Sequence, residues 1–386
     1  MVHIVALALL AQLSSAVVGQ GPGPATVICC GFGPVTFLRF SPDGRELERV
    51  CVFGGPALFD TDNYNKARSF PLTAGIAAYS PDGTRMVTAE GQRGARVWDA
   101  ALPGKPIPTG LENAKIPDDQ RRAGLVSDLR EMETPLQVLQ APGRDWREQV
   151  LWTEFSPDGR RLLTAHKNGH VKVWNTSSWS LEADFASTQS EVHAAAFAPD
   201  GNSLVIGDAD GVLHDWSLPR RAEVKTMRTT LGAVTAVAFS PDGKTLVTTH
   251  ARNASAVRPA DGRQATERGH SASGMTYGAM IWNTGTWLGV TRQGFGAAAF
   301  SKDGKVLALG GDNVELIDSE SLKPMRTVEL PSLTQGEVLS PSMKGADADR
   351  KVPVSVVALA FSPDGGTLAA GCWDGTVRLV KVTPAH

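Results

Sequence analysis

The sequence predicts an all-β repeat protein, seven small antiparallel sheets stacked side by side, and three observations carry that reading. A tight turn recurs at Ser41-Pro42-Asp43-Gly44, Ser80-Pro81-Asp82-Gly83, Ser156-Pro157-Asp158-Gly159, Ala198-Pro199-Asp200-Gly201, Ser240-Pro241-Asp242-Gly243, Ser301-Lys302-Asp303-Gly304 and Ser362-Pro363-Asp364-Gly365. Each copy follows an aromatic residue: Phe40, Tyr79, Phe155, Phe197, Phe239, Phe300 and Phe361. A bulky residue then closes a later strand at fixed spacing: Phe59, Trp98, Trp174, Trp216 and Val380 each stand 16 residues after the turn aspartate, Ile317 stands 14 after, and Trp282 stands 40 after because that copy carries an insertion.

The clearest unit is Phe155 to Asn175, FSPDGRRLLTAHKNGHVKVWN. Pro157 presets φ for a turn, Asp158 bonds its own backbone, and Gly159 tolerates positive φ. Leu162, Leu163 and Thr164 suit a mostly buried strand, Asn168-Gly169 a second turn, and Val171 and Val173 alternate with Lys172 as a strand ending on Trp174. Such a unit cannot bury both faces alone and becomes stable by stacking on its neighbours, with the closing aromatic as the large apolar contribution.

FSPDG followed by a Trp-Asp or Trp-Asn pair (Trp98-Asp99, Trp174-Asn175, Trp282-Asn283) resembles the WD40 repeat family over residues 25–386. The resemblance implies a seven-bladed β-propeller of four-stranded blades around a central channel, acting as a non-catalytic protein–protein interaction scaffold. Many members carry a Gly-His pair before the first strand. Here those places read Gly31-Phe32-Gly33, Thr73-Ala74-Gly75 and Leu231-Gly232-Ala233, so packing is expected to carry more of the stability.

Taken in order, residues 1–24 read as a signal-peptide-like segment and a Gly/Pro spacer, and residues 25–386 as the propeller. The apolar run 4–13 followed by Ser14-Ser15-Ala16 is too short for a membrane span and suits an exported, periplasmic protein; the missing positive charge before it leaves a cytoplasmic protein with a peripheral tail as the alternative. The last repeat ends after its third strand, so residues 25–30 are expected to supply the fourth strand of the last blade and close the ring. Three insertions interrupt the pattern: 101–133, with Leu125, Val126, Leu129 and Met132 on one side of an expected helix and TPLQVLQ (134–140) as the delayed fourth strand; 250–275; and 331–352. The family topology places the last two on one rim, where long loops tend to be functional or disordered.

A net charge of −2 argues against bulk attraction to nucleic acid or anionic membrane. Cys29, Cys30, Cys51 and Cys372 show neither metal spacing nor a disulfide framework, and His166 with His170 offers too few ligands for a metal. No cofactor or catalytic residue is expected, and the chain is expected to be monomeric with a protein partner. The recurring SPDG aspartates suggest a carboxylate ring, but each is explained by its turn. Candidate partner-binding residues are Trp373, Arg93, Lys167, Asp208, Asp210 and Asp312 at the hairpin tips, and Arg252, Arg258, Arg263 and Arg268 in the second insertion. The expected blade anchors are Phe59, Trp98, Trp174, Trp216, Trp282, Ile317 and Val380. The alternative is a propeller enzyme, hydrolase- or lactonase-like, with a site at the channel mouth. The runs Ala194-Ala195-Ala196, Ala236-Val237-Ala238 and Ala297-Ala298-Ala299 on first strands count against it. Asn175-Thr176-Ser177 and Asn253-Ala254-Ser255 match the glycosylation pattern.

Overall fold

The computed structural model describes residues 17–20, 25–29, 33–51, 54–64, 66–69, 76–89, 94–100, 136–139, 149–186, 190–253, 275–334, 351–352 and 354–382. They form seven antiparallel blades. Blade one is Val35–Phe40, Glu46–Cys51, Gly54–Asp60 and Lys66–Ser69; blade two is Ala77–Tyr79, Arg85–Ala89, Ala95–Asp99 and, beyond the first insertion, Gln137–Leu139. Blades three and four run regularly from Val150 to Ala186 and from Val192 to Arg228. Blade five ends with Leu288–Gln293 and blade six with Pro324–Val328. In blade seven, Val356–Phe361, Thr367–Cys372 and Thr376–Lys381 are completed by Ala25–Cys29, so the two ends of the propeller close the ring as expected. Val17–Gln20, inside what reads as leader and spacer, adds a fifth strand to this blade. The 101–133 insertion with its expected helix lies outside the described residues.

The turn chemistry is repeated in detail. In six copies the serine hydroxyl donates to the turn aspartate Oδ1 at 2.5 to 2.6 Å. The serine Oγ in turn accepts the N–H that opens the second strand, as at Glu46 (2.9 Å) and Arg161 (2.9 Å). Aspartate Oδ1 also accepts the N–H two residues on, as from Arg160 at 3.0 Å. The Ser80 hydroxyl and then the Thr84 N–H hold Asp82 below the usual carboxylate range. These aspartates are therefore turn elements.

The residue after the closing aromatic is a second cap. Asn175 Oδ1 accepts N–H groups of Ser177 (2.9 Å) and Ser178 (3.1 Å), and Asp60 does the same for Asp62 (2.9 Å) and Asn63 (3.1 Å). The chain then turns through positive φ at a residue five past the anchor: Tyr64 at 57°, Trp179 at 55°, Arg221 at 50°, Trp287 at 58° and Leu322 at 55°. That conformation is costly for non-glycine residues. It persists here because the side chains of Tyr64, Trp179, Trp287 and Leu322 pack into the core between their blade and the preceding one.

Seven apolar clusters occupy the seven blade interfaces. Each anchor presses towards the preceding blade: Phe59 on blade seven, Trp98 on blade one, Trp174 on blade two, Trp216 on blade three, Trp282 on blade four, Ile317 on blade five and Val380 on blade six. Phe59, Trp174, Trp282, Ile317 and Val380 are buried, while Trp98 and Trp216 are half-buried. Small residues permit the close approach: a Cβ on Gly371 would lie 2.5 Å from Val35 Cγ1, where blade seven meets blade one.

Packing is supplemented by a polar network that the missing Gly-His pairs do not suggest. Trp174 Nε1 donates to Thr164 Oγ1 at 3.0 Å, which meets His166 Nε2 at 3.0 Å. In blade five Trp282 Nε1 donates to Thr248 Oγ1 at 3.1 Å, Thr248 meets His250 Nε2 at 2.8 Å, and His250 Nδ1 reaches Gly232 O at 3.2 Å. The histidine thus comes from the end of the second strand, and the sequence signal for it is Thr-x-His at 164–166 and 248–250.

Burial pushes the His250 imidazole down to about 4. Its unfolded value is near 6.5, so the unfolded chain binds the extra proton between these pH values. Stability from neutral His250 is present above about 6.5 and is lost as pH falls towards 4, on the order of 3 kcal/mol in total. Urea titrations of the native protein and of His250→Gln across pH 7 to 4 should show a steeper acid loss for the native chain, and equal slopes would refute the assignment.

Candidate functional site

Antiparallel pairing sorts the connections. The SPDG turns and the turns into the fourth strands lie at one end of the ring. The second-to-third-strand hairpin tips and the links between blades lie at the other. At that second end stand Lys167, Asp210, Asp312 and Trp373.

Two insertions begin there on ordered bases. In blade five the strands Thr245–Asn253 and Met275–Asn283 pair through Ala251 with Tyr277, Arg252 with Thr276 and Asn253 with Met275, past the last pairing of the regular blades. With His250 opposite Gly278 as well, four further residue pairs carry this hairpin roughly 13 Å beyond the regular blades. Between blades six and seven, Leu333–Thr334 pairs with Lys351–Val352 as a short ribbon at the root of the third insertion. Arg252 is half-buried, and its Nη1 donates to Thr230 O at 3.4 Å. Arg93, Arg258, Arg263 and Arg268 lie outside the described residues.

The tips differ in what they offer. Asp210 and Asp312 are exposed. Lys167 Nζ reaches Glu191 at 3.3 Å, bridging blades three and four, and Glu191 also stands 3.6 Å from His193 Nε2. Trp373 is half-buried, with its backbone N–H on Ser355 O at 2.8 Å. Asp208 is only 2% exposed. Its Oδ1 accepts N–H groups of Asp210 (3.0 Å) and Val212 (2.8 Å), and its Oδ2 lies 3.6 Å from His214 Nε2. Asp208 therefore shapes the hairpin from inside and is not available to a partner. Its place at a tip suggested exposure, but a carboxylate able to cap the next turn is drawn inward.

His166 and His170 are drawn apart, the first to Thr164 and the second to Asp184 at 2.8 Å. Among the described residues no group of His, Cys, Asp and Glu is arranged to hold a metal ion. Asn175 Nδ2 donates to Glu182 Oε1 at 2.8 Å while its Oδ1 caps a turn, so that sequon is engaged in the fold. The first strands of neighbouring blades lie against one another from blade two round to blade one and ring the axis. They are not uniformly inert: Phe37 and Arg39 of blade one and Trp152 and Glu154 of blade three stand among the alanines. Phe37 and Trp152 meet edge to face with centroids 5.8 Å apart although blade two lies between them.

The fold and its repeated turns define a seven-bladed β-propeller. The chain carries WD40 repeats: the family model described as WD domain, G-beta repeat matches residues 134–175, 222–255 and 351–381. It is also similar to Protein LST8 homolog of Drosophila melanogaster, 25% identical over 150 residues, which is 38% of this chain and 39% of that relative. Among the described residues no helix is long and apolar enough to cross a membrane.

Proposed function

We propose that the protein is a non-catalytic scaffold that presents the end of the ring bearing Trp373 and the two insertion bases to a protein partner. WD40 propellers are commonly interaction scaffolds. The observation that carries the reading is the shared placement of the blade-five hairpin, the 333–334/351–352 ribbon and Trp373 at one end. Exposed or half-exposed Trp and Arg dominate binding energies at many interfaces. The acidic tips Asp210 and Asp312 and the Arg252 hairpin give this end charges of both signs, which suits a specific protein surface better than a polyanion.

Affinity capture with the native chain, with Trp373→Ala and with Arg252→Glu tests this reading. A partner retained by the native chain should be lost or weakened by about tenfold or more with either variant, at unchanged melting temperature. If Trp373→Ala lowers the melting temperature or aggregates, the indole is a packing residue beneath the ribbon. If both variants retain every partner of the native chain, docking lies elsewhere.

A further inference from the structure

The outer strands of the blades differ in how they guard their free edges. An open edge is a row of unpaired N–H and C=O groups, which charge, bulges, brevity or a covering strand normally blunt. Blade one ends on Lys66–Ser69, with Lys66, Arg68 and a register shift, and blade two on only three residues, Gln137–Leu139. The outer strands of blades three, four and six all have a register shift. They also carry Glu182 and Asp184, then Glu223, Lys225 and Arg228, then Pro324 and Arg326. In blade seven Ala25–Cys29 has neither charge nor shift, and there Val17–Gln20 covers the edge.

Blade five lacks these protections. Leu288–Gln293 pairs with the third strand through six consecutive residues without a shift, and no described strand lies on its other side. Leu288 is 74% and Val290 47% exposed. Its single charge is Arg292, whose Nη2 is turned to Leu322 O of blade six at 3.0 Å. The Gly294 N–H bonds inward to Tyr277 O at 2.9 Å, so by alternation Gly289, Thr291 and Gln293 turn their backbone groups outward.

We propose that this edge pairs with the same edge of a second copy, joining two blade-five sheets in antiparallel fashion about a two-fold axis through Thr291. A strand and its own copy match in length, and antiparallel pairing makes the contact self-complementary. In this register Thr291 faces Thr291 and Gly289 faces Gln293 as the pairs that exchange backbone hydrogen bonds. Val290 then lies opposite Arg292 and Leu288 opposite Gly294, so no like charges meet. The same operation on blade three would bring Glu182 and Asp184 of the two copies together, which is unfavourable. Blade seven shows how this chain treats an uncharged, unshifted edge, closing it with another extended segment of its own sequence. Because the paired strands run in opposite directions, the two rings present their Trp373 ends to opposite sides.

Sedimentation equilibrium of the full-length chain over a range of concentrations reads the association directly. A monomer–dimer equilibrium is expected, in place of the monomer the sequence suggests. Thr291→Lys and Thr291→Glu each set like charges against one another across the axis. Each should raise the dimer dissociation constant by about tenfold or more, at unchanged melting temperature. An equimolar mixture of the two variants sets Lys against Glu and should restore the dimer. Val290→Lys faces Arg292 in the same register and should also weaken association, which keeps the test open if a Thr291 variant fails to fold. A native chain that stays monomeric, charge variants that dimerise as the native chain does, or a mixture that remains monomeric would each overturn the proposal.

Discussion

Replacing Trp174 by alanine is expected to lower the unfolding free energy by about 3–5 kcal/mol, the range for deleting a buried large aromatic. The indole is 8% exposed and packs between blades two and three with Val87, Val97, Leu139, Val150 and Phe155. It also donates to Thr164 Oγ1 at 3.0 Å, and Thr164 in turn meets His166. The substitution therefore leaves a void at one interface and removes the donor that orders a buried hydroxyl and imidazole. Blades in such arrays stabilise one another through nearest neighbours, so damage at one interface is felt through the unit. Urea unfolding of the full chain measures it, with an unchanged m value showing that the same transition is compared. Leu181→Ala, on the outer strand where the side chain is 47% exposed, serves as the surface control. A loss below about 0.5 kcal/mol for Trp174→Ala would mean that the repeat's anchor is not where the blades are held together.

The repeat was legible because its signals are local. Pro, Asp and Gly in SPDG each answer a need of the turn itself, and the equal spacing to Trp98, Trp174 and Trp216 follows from two strands and a turn of fixed length. The Trp-Asp and Trp-Asn pairs can be understood in the same way, the first residue as an interface anchor and the second as the cap of the next turn. What escaped was set by neighbours distant in sequence. Asp208 and Asp210 are nearly adjacent at one tip, yet one is buried, accepting the Val212 N–H and lying 3.6 Å from His214 Nε2, and the other is exposed. The alanine runs of blades four to six spoke for an inert channel, while Phe37 and Trp152 sit in strands whose pattern, FLRF and LWTEF, does not reveal that these two rings meet. The absent Gly-His pairs suggested a loss of polar support, and Thr-x-His on the second strand supplies it from another position.

The ring's closure rests on a fully buried charge, and separating it from its partner is expected to be as damaging as losing an anchor. Arg378 lies on the third strand of blade seven, between Thr367–Cys372 and the N-terminal strand Ala25–Cys29, and is fully buried. Its Nη2 meets Asp374 Oδ2 at 2.7 Å, while Nε and Nη1 have no hydrogen-bond partner among the described residues. Asp374 Oδ1 accepts the Thr376 N–H at 2.9 Å and its hydroxyl at 2.6 Å, which fixes the carboxylate against the guanidinium. Asp374→Ala leaves a guanidinium that cannot deprotonate inside the blade, and should cost roughly 3–5 kcal/mol. Removing both charges, as in Asp374→Asn with Arg378→Met, keeps the turn cap and much of the volume, and should recover most of that loss. Urea unfolding of the single and double variants decides the matter. If the double variant is as unstable as Asp374→Ala, the pair itself holds blade seven to its N-terminal strand. If Asp374→Ala is nearly neutral, water or another group reaches Arg378 and the closure is looser than its burial implies.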